Sequence, residues 1–335
     1  MRDIVGNTIM SLNRSRSGLA KNALSARELH QAPAAPLVKQ NKYLAQSRLL
    51  LSLLDLPNSD SQTIQDSTLR FEDGAQFRIE VPTINSSRVA AVLLKEAHKK
   101  GIVVNRLTET LGMFRHTKRE IGEYVCLCDD YNCDLFMSVG PRAPYDTSAT
   151  ASSNQGSFIG YRLRGANQIS RAIEDVLRGI ELGIENFVIY DEGLLMVLGE
   201  LRSLGKLPAH ISFKASAHCG HGNPASARLL ERLGANSINP VRDLPIEALA
   251  AIRAAISVPL DCHTDNPKGS GGFIRFYEAP EFVRVAAPVY LKVGNSVLVE
   301  HGSVPSVENI YLILNQVEIV LEFIERYLPD AIQSI

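Results

Sequence analysis

Short apolar runs alternate with helical stretches eight times between Phe77 and Ser296. The runs are FRIEVPT, IVVNRLTE, CDLFMSVGPR, NFVIYDE, ISFKASAH, NSINPVRD, VPLDCHTD and VYLKVGN. Strands that alternate with helices at this spacing predict parallel pairing, because a parallel partner is reached only through a crossover connection. Eight such units in roughly 220–250 residues match the size of one closed (β/α)8 barrel. We therefore predict an α/β fold with a single TIM barrel.

The chain before the first run has a different pattern. Residues 1–40 combine basic residues, serines and the segment QAPAAP, which favours a tail; a transit peptide is the alternative. The stretch YLAQSRLLLSLLDL has helical spacing and stops at Pro57. We expect residues 1–75 to form a tail and helical extension that caps the barrel bottom or makes a homo-oligomer contact. Residues 76–335 then form the barrel.

Composition narrows the partners and the compartment. The 335 residues include 35 basic and 36 acidic side chains, a formal net charge of −1. No overall field attracts DNA or an anionic membrane, and no apolar run approaches the roughly 20 residues of a membrane span. Five cysteines are an odd number and form no disulfide framework. We expect a cytoplasmic protein with a small-molecule substrate, and neither DNA nor membrane as a partner.

Two lysines interrupt apolar strands. Alternation in FKASAH puts Lys214, Ser216 and His218 on the side opposite to Phe213, facing the barrel interior. An inward lysine must be paired or have a lowered pKa, which suits a base or a Schiff-base amine. Lys292 in VYLKVGN has the same character.

The alternative is structural. Each lysine then pairs with a carboxylate such as Asp261, Asp191 or Glu80 in a polar core layer without a reaction. Both interpretations stay open for Lys214 and for Lys292.

The loops after barrel strands lie on one face, so the polar residues at strand ends are the candidates for chemistry. Asp191 and Glu192 are an acid/base pair of which one faces the pocket and the other caps the next helix. His218 or His221 is a proton shuttle, and Arg142 a holder of the substrate anion. Arg242 also stands at a strand end, without an assigned role. The substrate-binding candidates are Glu80, Arg142, Asn239, Asp261, His263, Gly271, Gly272, Arg275 and Asn295.

Two further patterns bear on ligands. The loop PKGSGGF carries Gly271 and Gly272 and can offer backbone N–H groups to a phosphate, or serve as a hinge. Cys219, His221, Cys262 and His263 are the side chains that could hold a metal ion. Their spacing matches no known site, so we predict no cofactor, with a divalent metal or an iron–sulfur cluster as the alternative.

The second half of the chain resembles a known family. KASAHCGHGNPASARLLERLGANSINPVRD and GGFIRFYEAPEFVRVAAPVYLKVGN look like the barrel domain of peptidase U32-like proteins, and the resemblance covers about residues 77–296. The resemblance implies a TIM barrel. It also implies peptidase activity, or hydroxylation supported by an iron–sulfur cluster on four cysteines, a pattern that these cysteines do not follow.

From the residues we predict a barrel enzyme that uses acid–base or Schiff-base chemistry, of lyase or isomerase type. Its substrate is small and carries a carboxylate or a phosphate. Lys214 works with Asp191 or Glu192 in this mechanism. An amide hydrolase, a metal or iron–sulfur hydroxylation enzyme and a non-catalytic binding protein are the alternatives.

Overall fold

The computed structural model describes residues 44–60, 64–142, 153, 161–299 and 302–335. The chain divides into two compact units, residues 1–46 and 47–335. Only three residues of the first unit are described, so the expectations for residues 1–40 lie outside the described residues. The barrel belongs to the second unit.

Eight parallel strands close into a barrel. They are β1 (Phe77–Pro82), β2 (Arg106–Thr108), β3 (Asp134–Ser138), β4 (Asn186–Ile189), β5 (Ser212–Ala215), β6 (Ser237–Ile238), β7 (Leu260–His263) and, after the hairpin strands β8 (Asp265–Asn266) and β9 (Phe273–Ile274), β10 (Val289–Lys292). Neighbours follow chain order around the barrel, and β1 pairs with β10 to close it. The predicted TIM barrel is confirmed.

Helices cover the outside of the barrel and precede it. They are α1 (Ala45–Leu53), α2 (Ser87–Lys99), α3 (Lys118–Asp130), α4 (Gly165–Glu181), α5 (Glu192–Ser203), α6 (Pro224–Arg232), α7 (Ile246–Ala255), α8 (Ala279–Ala286) and α9 (Val307–Tyr327). Local chemistry sets several of the starts. Asn223 and Ser226 form a capping box at α6, with Pro224 at its first position, where a missing N–H costs no helical hydrogen bond. In the described part of the chain, no helix is long and apolar enough to cross a bilayer.

Strand alternation separates two interiors. In β5, Phe213 and Ala215 are buried in the core between barrel and helices. Lys214 faces the inside of the barrel and is also buried. The predicted inward orientation of Lys214 is therefore confirmed. A change of register by one residue would turn this lysine into the apolar core, so the hydrophobic pattern itself enforces its position.

The amino end of the barrel is closed by residues outside α1. Phe71 packs edge-on against Tyr290, their ring centroids 5.2 Å apart, and both belong to a small buried cluster. The carboxyl-terminal segment adds a bridge between Gln333 and Phe77. Helix α1 has no buried residue. In the described part of the extension, Phe71 therefore packs at this end of the barrel, whereas α1 buries no residue. The roles expected for residues 1–75 stay predictions.

The glycine loop after β7 contains a structure that the sequence pattern did not predict. Strands β8 and β9 form a two-stranded antiparallel hairpin beside the barrel. Gly271 and Gly272 make the turn with φ values of 103° and 51°, a left-handed region that favours glycine. These glycines are therefore needed by the turn itself.

Candidate active site

Glu80 of β1 is the centre of a buried ionic network. Its side chain is fully buried, and the Lys214 Nζ lies 2.6 Å from both carboxylate oxygens. Lys292 Nζ also donates to Oε1, and the Thr108 hydroxyl donates to the same oxygen at 2.8 Å. Arg106 approaches the other oxygen at 3.4 Å. One carboxylate thus faces three cations.

Asp261 of β7 supplies a second carboxylate to this network. Its Oδ1 accepts a hydrogen bond from Arg106 at 2.9 Å, and its Oδ2 lies 3.6 Å from the Lys214 Nζ. The Arg106 guanidinium lies between two rings, 3.9 Å from the Phe136 centroid and 3.3 Å from that of Tyr290. We call Glu80, Arg106, Lys214, Asp261 and Lys292 the central cluster.

Burial shapes the charge states of the central cluster. Loss of water lowers the pKa of Lys214 to about 7, and the charges of Lys292 and Arg106 act in the same direction against the opposing pull of Asp261 and Glu80. Burial alone would raise the pKa of Glu80, but the nearby cations hold it well below its usual range. A large fraction of Lys214 is therefore a neutral amine at neutral pH. Glu80 stays a carboxylate.

A small cavity lies at the carboxyl ends of the strands, where a barrel places its active site. Its volume is about 30 Å³, room for about two water molecules. Lys214 and Lys292 line it together with Thr83, Ser216, His218, Asn239, Arg242, His263 and Asn295. A larger ligand has to displace side chains here. We call this space the mouth cavity.

Thr83 marks strain at this cavity. It is a buried, β-branched residue with a φ of 64°, which is an outlier for its type. Its hydroxyl donates to Asn295 Oδ1 at 3.2 Å. Such backbone strain persists where surroundings over-determine it, and it concentrates at functional sites.

His263 is held as a neutral ring. Asn295 Nδ2 donates to its Nδ1 at 3.0 Å, so the proton lies on Nε2, which donates to Asn239 Oδ1 at 3.2 Å. Burial, with the charges of Lys292 and Arg242, keeps the pKa of His263 well below its usual value. The sequence-predicted residues Asn239, His263 and Asn295 are therefore brought together as one hydrogen-bonded layer above the central cluster.

His218 is neutral for similar reasons. Its Nε2 accepts a hydrogen bond from Arg242 at 3.0 Å, and its ring stacks on Tyr161 with centroids 4.1 Å apart. Burial and the Arg242 charge lower the pKa of His218 to about 3. This ring cannot act as a general acid near neutral pH, which restricts the predicted proton shuttle.

Asp191 and Glu192 contact residues other than Lys214. Asp191 caps α5 by accepting from the Leu194 N–H at 2.9 Å, as expected for one of the pair. Glu192 pairs with Arg162 and lies 2.5 Å from His221 Nε2. We call Arg162, Glu192 and His221 the rim cluster.

The contacts of Lys214 answer the question of its partner. Within the described residues, its carboxylate partners are Glu80 and Asp261, two of the alternatives named from the sequence. The expected cooperation of Lys214 with Asp191 or Glu192 has no contact to support it. The catalytic roles of Asp191, Glu192 and His221 stay predictions.

Two predicted anion holders have other contacts. Arg142 is buried, donates to the Thr110 carbonyl at 3.0 Å and packs on the Tyr190 ring, outside the lining of the mouth cavity. Arg275 pairs with Glu278 and donates to the Leu244 carbonyl at 2.8 Å. These contacts stabilise loops.

The four side chains named for a metal do not form a ligand set. Cys262 is buried in the core outside the barrel, whereas His263 points inside it. Burial raises the pKa of the Cys219 thiol to about 11 and that of Cys262 to about 12, so both are neutral thiols near neutral pH. Among the described residues, no three His, Cys, Asp or Glu side chains are placed to hold a metal ion. The four side chains named from the sequence therefore do not form a metal site, and the presence or absence of a cofactor stays a prediction.

Sequence reasoning missed Tyr161. It lies between the end of β3 and the start of α4, and its ring stacks on both Tyr190 and His218. The signal in the sequence that could have pointed to Tyr161 is an aromatic residue placed where a barrel loop leads into the next helix. Arg242 was placed at a strand end by sequence, but only the structure puts it against His218.

The closed barrel, with its ionisable side chains at the carboxyl ends of the strands, makes this chain a (β/α)8-barrel protein. No family model matches it, and no curated protein matches it either.

Solved structures share the architecture at low identity. The U32 peptidase Mk0906 is 16% identical, with 59% of this chain and 73% of that chain covered and a TM-score of 0.38. The YdjI aldolase from Escherichia coli K12 is 15% identical, with 76% and 93% covered and a TM-score of 0.45. A truncated 3-deoxy-D-arabino-heptulosonate 7-phosphate synthase from Thermotoga maritima is 12% identical, with 81% and 96% covered and a TM-score of 0.48. This likeness concerns the fold and carries no inference about a reaction.

Proposed function

We propose that this protein is a barrel enzyme in which the Lys214 amine forms a Schiff base with the carbonyl group of a small anionic substrate. The observation that supports it most is a buried lysine, 1% exposed, that lines the mouth cavity and has its pKa lowered to about 7. A lysine with such a pKa supplies a nucleophilic amine at neutral pH, which an exposed lysine does not.

The contacts of Lys214 suit this step. A neutral amine still donates N–H bonds to Glu80 and Asp261, and its lone pair remains for attack on a carbonyl carbon. The carbinolamine then loses its oxygen as water, which takes up one proton from a neighbouring acid. The product is a protonated imine, which withdraws electrons from the adjacent C–C or C–H bond. Glu80 lies within reach to stabilise that positive charge.

Lyase or isomerase chemistry follows naturally from an electron-withdrawing imine. An amide hydrolase, the activity implied by the U32-like resemblance, finds less support. Burial raises the pKa of the Cys219 thiol to about 11, which disfavours a cysteine nucleophile. We retain the U32-like relationship as a proposal that rests on the motif residues in 77–296. The proposed chemistry needs no cofactor.

Reductive trapping tests the proposal. The purified protein is incubated with pyruvate, or with glyceraldehyde 3-phosphate, and sodium cyanoborohydride, which reduces an imine to a stable secondary amine. We expect one adduct per chain in the intact mass, mapped to Lys214 by peptide sequencing. Lys214→Met abolishes the adduct, whereas Lys206→Met, which removes an exposed lysine, leaves it unchanged. Adducts spread over exposed lysines, with none on Lys214, would contradict the proposal.

We further propose that the amino-terminal extension forms a homo-oligomer contact. Helix α1 exposes Leu49, Leu50 and Leu53 at 62%, 54% and 72%, which is unusual for leucines on one short helix. Sedimentation velocity compares the full chain with a Leu49→Ser/Leu53→Ser variant. We expect an oligomer that the variant loses, and equal sedimentation of both proteins would contradict this. The five free cysteines are consistent with a cytoplasmic location, which we also propose.

A further inference from the structure

Arg242 is a cation without a carboxylate partner in the described part of the chain. It lines the mouth cavity, and its hydrogen bond goes to a neutral acceptor, His218 Nε2, at 3.0 Å. Its Nε is buried and has no hydrogen-bond partner among the residues that the structure describes. A partly buried guanidinium without a carboxylate or other anion costs stability, so such an arrangement calls for a functional reason.

The surroundings of Arg242 increase this cost. Lys214 and Lys292 line the same cavity, and the carboxylates beneath them are already engaged. Glu80 is bound by Lys214, Lys292 and Thr108, and Asp261 is bound by Arg106 and Ser237. Among the described residues, the lining of the mouth cavity contains no acidic side chain. The lining that the structure describes therefore carries a net positive charge.

The guanidinium is also held in place. The His218 ring that accepts its hydrogen bond stacks on Tyr161, and Ser216 caps the turn that carries His218. A positioned guanidinium with free donors binds a carboxylate or a phosphate by charge-assisted hydrogen bonds. Neutral His218 is the one hydrogen-bond acceptor that the described residues give this guanidinium.

We propose that Arg242 binds the anionic group of the substrate, a carboxylate or a phosphoryl group, and so places the substrate carbonyl at Lys214. The inference rests on the proposed Schiff-base function for its second half. Arg242 and Lys214 line one cavity, so a single small molecule can contact both. Arg242 takes the role that the sequence assigned to Arg142.

Two measurements test Arg242 separately from Lys214. The first is calorimetric binding of inorganic phosphate to the wild-type protein, Arg242→Gln, Arg242→Lys and Arg232→Gln. Arg232 is an exposed arginine at the end of α6 and provides the matched control. We expect Arg242→Gln to bind phosphate at least about tenfold more weakly than the wild-type protein. Arg242→Lys should recover part of this affinity, and Arg232→Gln should leave it unchanged.

The second measurement compares cyanoborohydride trapping of pyruvate and acetone, which differ by a carboxylate. Arg242→Gln is expected to slow pyruvate trapping about tenfold and leave acetone trapping unchanged. The proposal is overturned if Arg242→Gln slows the trapping of pyruvate and acetone equally, or if it leaves phosphate binding intact. It is also overturned if the wild-type protein neither binds phosphate nor prefers pyruvate. If neither probe is trapped by the wild-type protein, the Schiff-base function fails while phosphate binding still decides the role of Arg242.

Thermal unfolding distinguishes ligand binding from a structural role. Because Arg242 is an unbalanced cation beside two lysines, its removal relieves repulsion. We expect the Tm of Arg242→Gln to equal or exceed that of the wild-type protein. A clear drop in Tm, with circular dichroism showing a disturbed fold, indicates a structural residue and contradicts the proposal.

Discussion

The central cluster and the rim cluster both pair glutamate with basic side chains, but in two different environments. The central cluster has side-chain exposures between 0% and 4%, whereas Arg162, Glu192 and His221 of the rim cluster are 33%, 24% and 18% exposed. In the dry interior, charge–charge energies are large and desolvation lowers the pKa of Lys214 to about 7. At the rim, water screens the same kind of pair. Burial is therefore what turns an ion pair into a reactive amine here.

The largest expected difference between the two clusters is in the free energy of unfolding when Glu80 or Glu192 is replaced. Glu80→Gln leaves Lys214, Lys292 and Arg106 with Asp261 as their carboxylate, and we expect a loss of about 3–5 kcal/mol in the free energy of unfolding. Glu192→Gln should cost about 0–1 kcal/mol. Urea unfolding at pH 7 measures both. Equal losses would remove the distinction between the clusters.

The pH dependence of stability tests the charge state of Lys214. The folded protein binds fewer protons than the unfolded chain between pH 7 and the ordinary lysine pKa of 10.5. The penalty for the buried amine is therefore complete below pH 7 and is relieved as the pH rises toward 10.5, by at most about 1.4 kcal/mol per pH unit. Urea unfolding at pH 7 and pH 9 should show the wild-type protein gaining stability relative to Lys214→Met. A pH-independent difference between the two proteins contradicts the lowered pKa.

Lys292 offers a finer test within the central cluster. Lys292→Met removes a positive charge that lowers the pKa of Lys214 and frees Glu80 to hold the ammonium form. A pKa increase of about one unit reduces the neutral amine at pH 7 by a factor of about five. The rate of cyanoborohydride trapping is followed from pH 6 to 9. The midpoint of its increase with pH should lie at a higher pH in the variant than in the wild-type protein. An unchanged midpoint shows that Lys292 does not tune Lys214.

The smallest effect is expected at His221. Burial and the Arg162 charge lower the pKa of this ring, so it is a neutral donor to Glu192 near pH 7. His221→Gln keeps a hydrogen-bonding group, and we expect a stability change of about 0–1 kcal/mol. The trapping rate at Lys214 should stay at the wild-type value. A tenfold loss of that rate would make the rim cluster part of the reaction.

Much of the fold was readable from the pattern alone. The eight strands and the inward side of Lys214 follow from local rules of alternation, and the structure confirms both. The β8–β9 hairpin was missed because each strand has only two residues. Such a short element has no detectable periodicity.

The sequence predicted the positions of the charged side chains better than it predicted their interaction partners. Lys214 and Glu80 are 134 positions apart, and Glu80 was one of three carboxylates that the sequence could offer. Arg142 and Arg242 both stand just after strands, yet only one lines the mouth cavity. The direction of a long side chain depends on rings and carbonyl groups from distant loops, such as Tyr190 and Thr110 beside Arg142.

The sequence by itself determined the barrel and the face that carries its ionisable residues, because periodicity and capping act over a few neighbouring residues. Tertiary structure decided which charges meet, which of them lose water and which remain unbalanced. These outcomes depend on distances across the barrel and on burial, and both arise only when β1, β5, β7 and β10 close around the same interior.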